Sequence, residues 1–238
     1  MWLAVDSGNT RVKWARMTGD RITSHRAVEK ARFALPPREQ FDSIWVSHVG
    51  SRADLQRIKK ALAGRGRVNF VSSQRKAAGV TNTYRTPSDL GADRWLCLLA
   101  AWRRRAVQRH GAVVVSAGTA ITIDVLQADG RFVGGVILPG ISLMPAALAQ
   151  HTPLAAVRVR PSLAAGVPKD TAAGMAAGAV LAAVGAVIAV RRRHAPGAQV
   201  LLTGGDADLL KPHLPQAHHL PRLLFAGMMC LRREQGDE

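Results

Sequence analysis

VDSGNTRVKW (residues 5–14) and VSAGTAITID (residues 115–124) share one pattern, 110 residues apart. Each is an apolar strand, a polar residue at its end, a small residue, a glycine, and a hydroxyl- or amide-bearing turn into a second strand. Such turns suit phosphate, because glycine lets the backbone come close while turn N–H groups and Thr hydroxyls donate to phosphate oxygens. One hairpin of this kind is a common structural device. Two copies, with a Gly-Gly turn after a third apolar strand (LLTGGD, residues 201–206), describe two similar half-domains facing a nucleotide across a cleft.

Working outward, the pattern is α/β. Strands are expected over 2–5, 12–15, 44–47, 68–71, 113–115, 121–125 and 199–202, and helices over 55–62 and 94–109. No low-complexity linker divides the chain, and the clearest seam is Arg109-His110-Gly111-Ala112, giving domains 1–111 and 112–238. With 238 residues, 47% hydrophobic and 21% charged, the chain can bury a core, which excludes wholesale disorder. Aromatics at 5% leave little for a base-stacking surface. Cys97 and Cys230 stand far apart without a CxxC or Cys/His cluster, and adjacent His218 and His219 diverge without a third ligand, so neither disulfide framework nor zinc site is supported. No Walker loop and no Gly-x-Ser-x-Gly elbow occurs, which argues against a P-loop kinase or a hydrolase.

The net charge of +17, mostly from Arg in short groups, attracts polyanions or phosphorylated metabolites, though solvated helix ends explain most such groups. Residues 171–190 run without a charge and then meet Arg191-Arg192-Arg193, which fits a membrane span by length. Its Ala/Gly richness favours instead a helix inside the protein or at a subunit contact, with Gly174 and Gly178 admitting a neighbour. The opening Met1-Trp2-Leu3-Ala4-Val5-Asp6 reads as a strand meeting a turn rather than as a signal peptide, so a cytoplasmic protein with no membrane association is expected.

Five ordered motifs carry a family resemblance. VDSGNTRVKW (5–14), LGADRW (90–95), SAGTAITID (116–124), GGVILPG (134–140) and LLTGGDA (201–207) resemble those of the type III pantothenate kinases, the family of the Bvg accessory factors, within the actin/hexokinase/Hsp70 phosphotransferase superfamily. The resemblance implies two RNase H-like domains of mixed sheet plus helices, a homodimer, and ATP-dependent phosphorylation of pantothenate, the first step to coenzyme A. It implies ATP contacts from Asp6, Ser7, Gly8, Asn9, Thr10, Arg11, Val12, Lys13 and Thr119, with Asp6 on Mg2+. It implies Asp93 as general base, and a pantothenate site of Tyr84, Gly91, Ala92, Asp93, Arg94 and Thr171. One position departs from the family pattern: Ser116 stands where most members carry an Asp that helps bind K+ or NH4+. For Asp93 the residues alone leave an N-cap role open, and for Asp6 a turn-capping role. A non-catalytic transcription-accessory or nucleic-acid-associated protein on the same fold is the alternative, supported by the charge and by Ser116, with nucleic-acid binding at most non-specific. A kinase for another small hydroxylated substrate is a third reading.

Overall fold

The computed structural model describes residues 1–36, 38–155, 157 and 166–237. The chain forms two compact units, Met1–Ala100 with Leu223–Glu238, and Ala101–Arg222.

In the first unit, β1 (Trp2–Ser7), β2 (Arg11–Thr18) and β3 (Arg21–Glu29) form an antiparallel meander, and β4 (Ser43–His48) and β5 (Arg67–Phe70) add in parallel on the other side of β1. The order is β3-β2-β1-β4-β5, so β1 is central, and every one of its residues is buried. Leu3 and Val5 pack with Val12 and Trp14 of β2, Ile44 and Val46 of β4, and Ile58 and Leu62 of α1 (Arg52–Leu62). Strand alternation sends Ala4 and Asp6 to the opposite face. The helix α1 starts at a capping box in which Ser51 and Asp54 each accept the other's backbone amide, both at 3.2 Å. A short ladder, β6 (Lys76–Ala77) with β7 (Val80–Asn82), precedes α2 (Ala92–Trp102). The expected helix over 94–109 is in fact two, α2 and α3 (Arg105–His110), broken where Arg104 turns extended (φ −89°, ψ 121°). Residues 95–101 of α2 are buried and α3 buries only Val107, so the break falls where the chain leaves the core.

The second unit repeats this plan. The strands β8 (Ala112–Ala117), β9 (Ala120–Leu126) and β10 (Arg131–Pro139) form an antiparallel meander, and β11 (Gln199–Thr203) and β12 (His218–His219) add in parallel beside β8. The order β10-β9-β8-β11-β12 matches β3-β2-β1-β4-β5 term for term. The helices are α4 (Leu143–His151), α5 (Thr171–His194) and α6 (Ala207–Leu210), and α7 (Leu223–Glu234) returns to the first unit, where a Cβ on Gly227 would overlap the Leu96 carbonyl. By length and composition α5 could cross a membrane. Its Val180, Ala183, Val184 and Val187 instead lie in the second unit's core with Val113, Val115, Ile121 and Leu202, so it is a core helix.

Two glycine motifs brace the second turn. Gly140, ending GGVILPG, donates to the Thr119 carbonyl (2.9 Å), and Gly204 at φ +104° leaves no room for a Cβ against the Ala117 carbonyl. Asp206 then donates to that same carbonyl (3.0 Å). Gly204→Ala therefore costs both a clash and backbone strain, about 3 kcal/mol, whereas Gly205→Ala, with open space around it, stays within about 0.5 kcal/mol. Urea denaturation of the two variants checks this, and equal midpoints would remove Gly204 from its bracing role.

Candidate active site

The first turn closes with the Gly8 amide on the Arg11 carbonyl (3.2 Å), and Asn9, Thr10 and Arg11 are exposed at its tip. Ser7 is sealed, its Oγ 3.2 Å from His48 Nδ1, and the Val12 side chain belongs to the core, so Val12 offers a ligand only its backbone.

Asp6 ends β1 only 8% exposed, with Lys13 opposite it on β2 and Ser47 opposite it on β4. Burial pushes its carboxyl up to about 6 against the pull of Lys13, with Asp93 adding like-charge repulsion and Ser47 favouring the charged form. Ser47 stands beside the carboxylate, yet neither Asp6 Oδ1 nor Ser47 Oγ closes a hydrogen bond among the described residues. An orphaned, buried carboxylate oxygen beside a hydroxyl is what a hard dication satisfies, so these residues fit a divalent cation.

Asp93 lies inside the first turn of α2, not at its cap. The helix begins at Ala92, the Gly91 carbonyl accepts the Trp95 amide (3.0 Å), and the Asp93 carboxylate accepts the amide of Arg94 (2.8 Å). Burial raises this carboxyl, opposed by the Arg94 amide and by the charges of Arg94 and Lys13. A Cβ on Gly91 would sit 2.6 Å from Asp93 Oδ1. The buried guanidinium of Arg94 lies 5.8 Å from the Tyr84 ring centroid and donates to its hydroxyl (3.2 Å).

The loop that carries Tyr84 is held by residues the motifs do not reveal. Arg75 donates to the carbonyls of Asn82 (2.9 Å), Tyr84 (2.8 Å) and Arg85 (2.9 Å). The buried Asn82 donates to the Pro87 carbonyl (3.1 Å) and accepts the Tyr84 amide (3.1 Å), and Ser73 donates to Pro87 (2.7 Å). The sequence carried no signal for them, since Ser73, Arg75 and Asn82 stand among other polar residues.

The first unit thus brings together Asp6, Lys13, Asp93, Arg94 and Tyr84. In the second unit, Ser116 occupies the place of Asp6, with Thr122 opposite it on β9 and Thr203 opposite it on β11. Thr119 is exposed at the turn, and Thr171 is exposed just after Asp170, which caps α5 by accepting the Ala173 amide (2.8 Å).

The model of the type III pantothenate kinase family matches residues 2–193. The chain belongs to the type III pantothenate kinases. A type III pantothenate kinase of Aromatoleum aromaticum is 37% identical over 251 residues, covering 98% of each chain. Among solved structures, a Campylobacter jejuni protein described as a Baf family transcriptional activator aligns with TM-score 0.65 and 24% identity over 99% of this chain and 100% of that one. A Sinorhizobium meliloti protein described as a 2-dehydro-3-deoxygalactonokinase aligns at TM-score 0.54 and 15% identity over 98% of each. Those two likenesses carry the fold, a two-domain α/β architecture of the actin/hexokinase type. As a pantothenate kinase the protein phosphorylates pantothenate at the expense of ATP in coenzyme A biosynthesis, with a divalent cation accompanying ATP.

A carboxyl raised to about 6 in the folded state, from 3.8, makes folding less favourable as pH rises through that window, because the unfolded chain gives up the proton first. Asp6→Asn is therefore expected to stabilise the ligand-free kinase at pH 7.5 by about 2–3 kcal/mol and to do little at pH 4. Denaturation of both proteins at the two pH values checks this, and an unaltered difference across pH would show that the carboxyl is not strained.

Proposed function

We propose that Asp93 is the general base and that the Asp6–Lys13–Asp93 cluster carries the chemistry. The observation behind it is one buried and one half-buried carboxyl within one electrostatic neighbourhood, both raised by desolvation and sharing a single lysine. A raised carboxyl is a stronger base, closer to what abstracting a hydroxyl proton requires. The pantothenate hydroxyl oxygen attacks the γ-phosphorus, the bond from that phosphorus to the bridging oxygen breaks, and the hydroxyl proton passes to Asp93. The backbone from Ser7 to Val12, the side chains of Asn9, Thr10 and Arg11, and Thr119 at the second turn bind the phosphates, with Lys13 as a point charge. Asp6 holds Mg2+, which supplies charge neutralisation at the phosphates when bound. Arg94 draws the anionic substrate, and Tyr84, Gly91, Ala92 and Thr171 complete its site. Asp93→Asn should lower turnover about 100-fold or more with ATP affinity unchanged. Near-normal turnover would remove Asp93 from this role.

At Ser116 the cross-strand neighbours are hydroxyls, and Thr122 Oγ1 is buried without a partner among the described residues. A hydroxyl row offers K+ or NH4+ only dipoles, forgoing about 4 kcal/mol of attraction at intermediate dielectric. Asp124 lies buried on the same face, one cross-strand step farther from the turn. Activation by K+ should accordingly be weak and Ser116→Asp should strengthen it, measured as turnover against K+ at constant ionic strength. Saturation of the unmodified kinase at low-millimolar K+ would show that the hydroxyls suffice.

The kinase is further proposed to work in the cytoplasm as a homodimer, built from half-domains divided near residues 111–112, and to bind nucleic acid only non-specifically. The dimer reading is supported by the outward stripe Gly174, Gly178, Leu181, Gly185 and Ile188 of α5, where a Cβ on any of the glycines meets nothing. Leu181→Glu should shift the sedimenting species from dimer to monomer, and an unchanged species would place the contact elsewhere.

A further inference from the structure

The strands of the second unit have two ends, and the glycine turns lie at only one of them. The turns at Gly118 and Gly204 follow the C-terminal ends of β8 and β11. A pocket of about 420 Å3 opens at the other end, where α5 finishes and β11 begins. Thr171 lies twenty residues before Arg191 on α5, roughly 30 Å along its axis.

The pocket walls are apolar, with Val187 and Ile188 from α5, Val200 from β11, and Leu214. Its polar side chains are Arg191, Arg192, His213 and Gln216, and among the described residues no carboxylate lines it. Arg191 Nε donates to the Ala198 carbonyl (2.8 Å), which fixes that guanidinium at the wall. Neither guanidinium has an ion-pair partner among the described residues, and His213 Nε2 is shut from water without a hydrogen bond. Topology concentrates positive charge here. The helix α3 feeds β8 and α5 feeds β11, and these strands are parallel neighbours in the register Gln199↔Ala112. Arg109, His110 and the run Arg191, Arg192, Arg193 and His194 therefore gather at one end of the sheet, a field that focuses anions.

We propose that this pocket is a second ligand site, distinct from the kinase centre, which takes a small amphipathic anion: a short apolar body ending in a carboxylate or phosphate. The volume is that of a small-molecule site. A bare inorganic anion would leave the apolar wall wet, and a neutral apolar molecule would leave two guanidinium charges without a counter-charge and a buried imidazole nitrogen without a hydrogen bond.

Calorimetry on the whole protein at physiological salt, with hexanoate, hexyl phosphate, hexanol and inorganic phosphate as probes, tests this. At least one of the first two should bind at one site per chain, tenfold or more tighter than hexanol or inorganic phosphate, and the better of the pair identifies the head group. Binding should persist at saturating ATP and pantothenate. Gln216→Trp, which fills the pocket from an exposed lining position away from α5, and Arg192→Glu, an exposed site, should each weaken it tenfold or more without changing the melting temperature of the ligand-free protein. The proposal fails if neither amphipathic anion binds at millimolar concentration, if inorganic phosphate binds equally well, if ATP displaces the probe, or if both variants bind normally. Displacement by short duplex DNA with a steep salt dependence would overturn it too, giving this face to a polyanion.

Discussion

Burying the carboxylate of Asp6 is the constraint around which the first unit is arranged. A strand sealed on both faces cannot end in an ionised group unless its neighbours supply compensation, and here the neighbours are set by register. Leu3 and Val5 must face the core shared with Val12 and Trp14, and that pairing alone puts Lys13 opposite Asp6. A slip of one residue would exchange Lys13 for an apolar side chain and turn the lysine to the wrong face. The hydrophobic pattern that folds the sheet is thus the same pattern that aligns the charges. Compensation is nevertheless incomplete, since burial still outweighs the lysine and Oδ1 has no hydrogen-bond donor among the described residues.

The second unit uses the same topology for a different purpose. At the position of Asp6 it has Ser116, at that of Lys13 it has Thr122, and at that of Ser47 it has Thr203. Charge has given way to hydroxyls, and rigidity is supplied instead by glycines. Gly140 and Gly204 let two other segments lie directly against the turn at Gly118, where any side chain would collide with backbone. One copy of the hairpin therefore concentrates titrating groups and the other a braced turn, a division visible only once the two sheets are set side by side.

Much of this was legible in the residues. The two hairpins, the strands β4, β5 and β11, and the helix α1 stand where apolar alternation and turn chemistry put them. Other elements carried no such signal. The edge strand β3 is mostly exposed, so its sequence RITSHRAVE shows no apolar face. The strand β10 hides behind two glycines and a proline that suggest a turn; Gly134 in fact accompanies a bulge, and a side chain on Gly135 would collide with Asp124. The break between α2 and α3 involves no Gly or Pro, because it is imposed by the end of burial and not by local propensity. In the site, the motif residues are evident from their types. Arg75, Asn82 and Ser73 are not, since their hydrogen bonds hold a loop whose position depends on the finished fold.

The helix α5 shows how composition misleads and how the fold resolves it. Its length and hydropathy pass for a membrane span, but its apolar residues are divided between a buried stripe and an outward one rich in glycine. Helix geometry also gives its cations a reason: Arg191, Arg192, Arg193 and His194 crowd the last turn, where unpaired carbonyls favour positive charge. That need is local and is met by one or two side chains, and Arg191 is turned away from it, donating to the Ala198 carbonyl beyond the helix. The dipole does not account for the rest, nor for a pocket beside them with no carboxylate among its described lining residues. Part of the +17 charge is therefore a consequence of how helices end, and part is concentrated where the parallel strands begin, a surplus that secondary structure alone did not require.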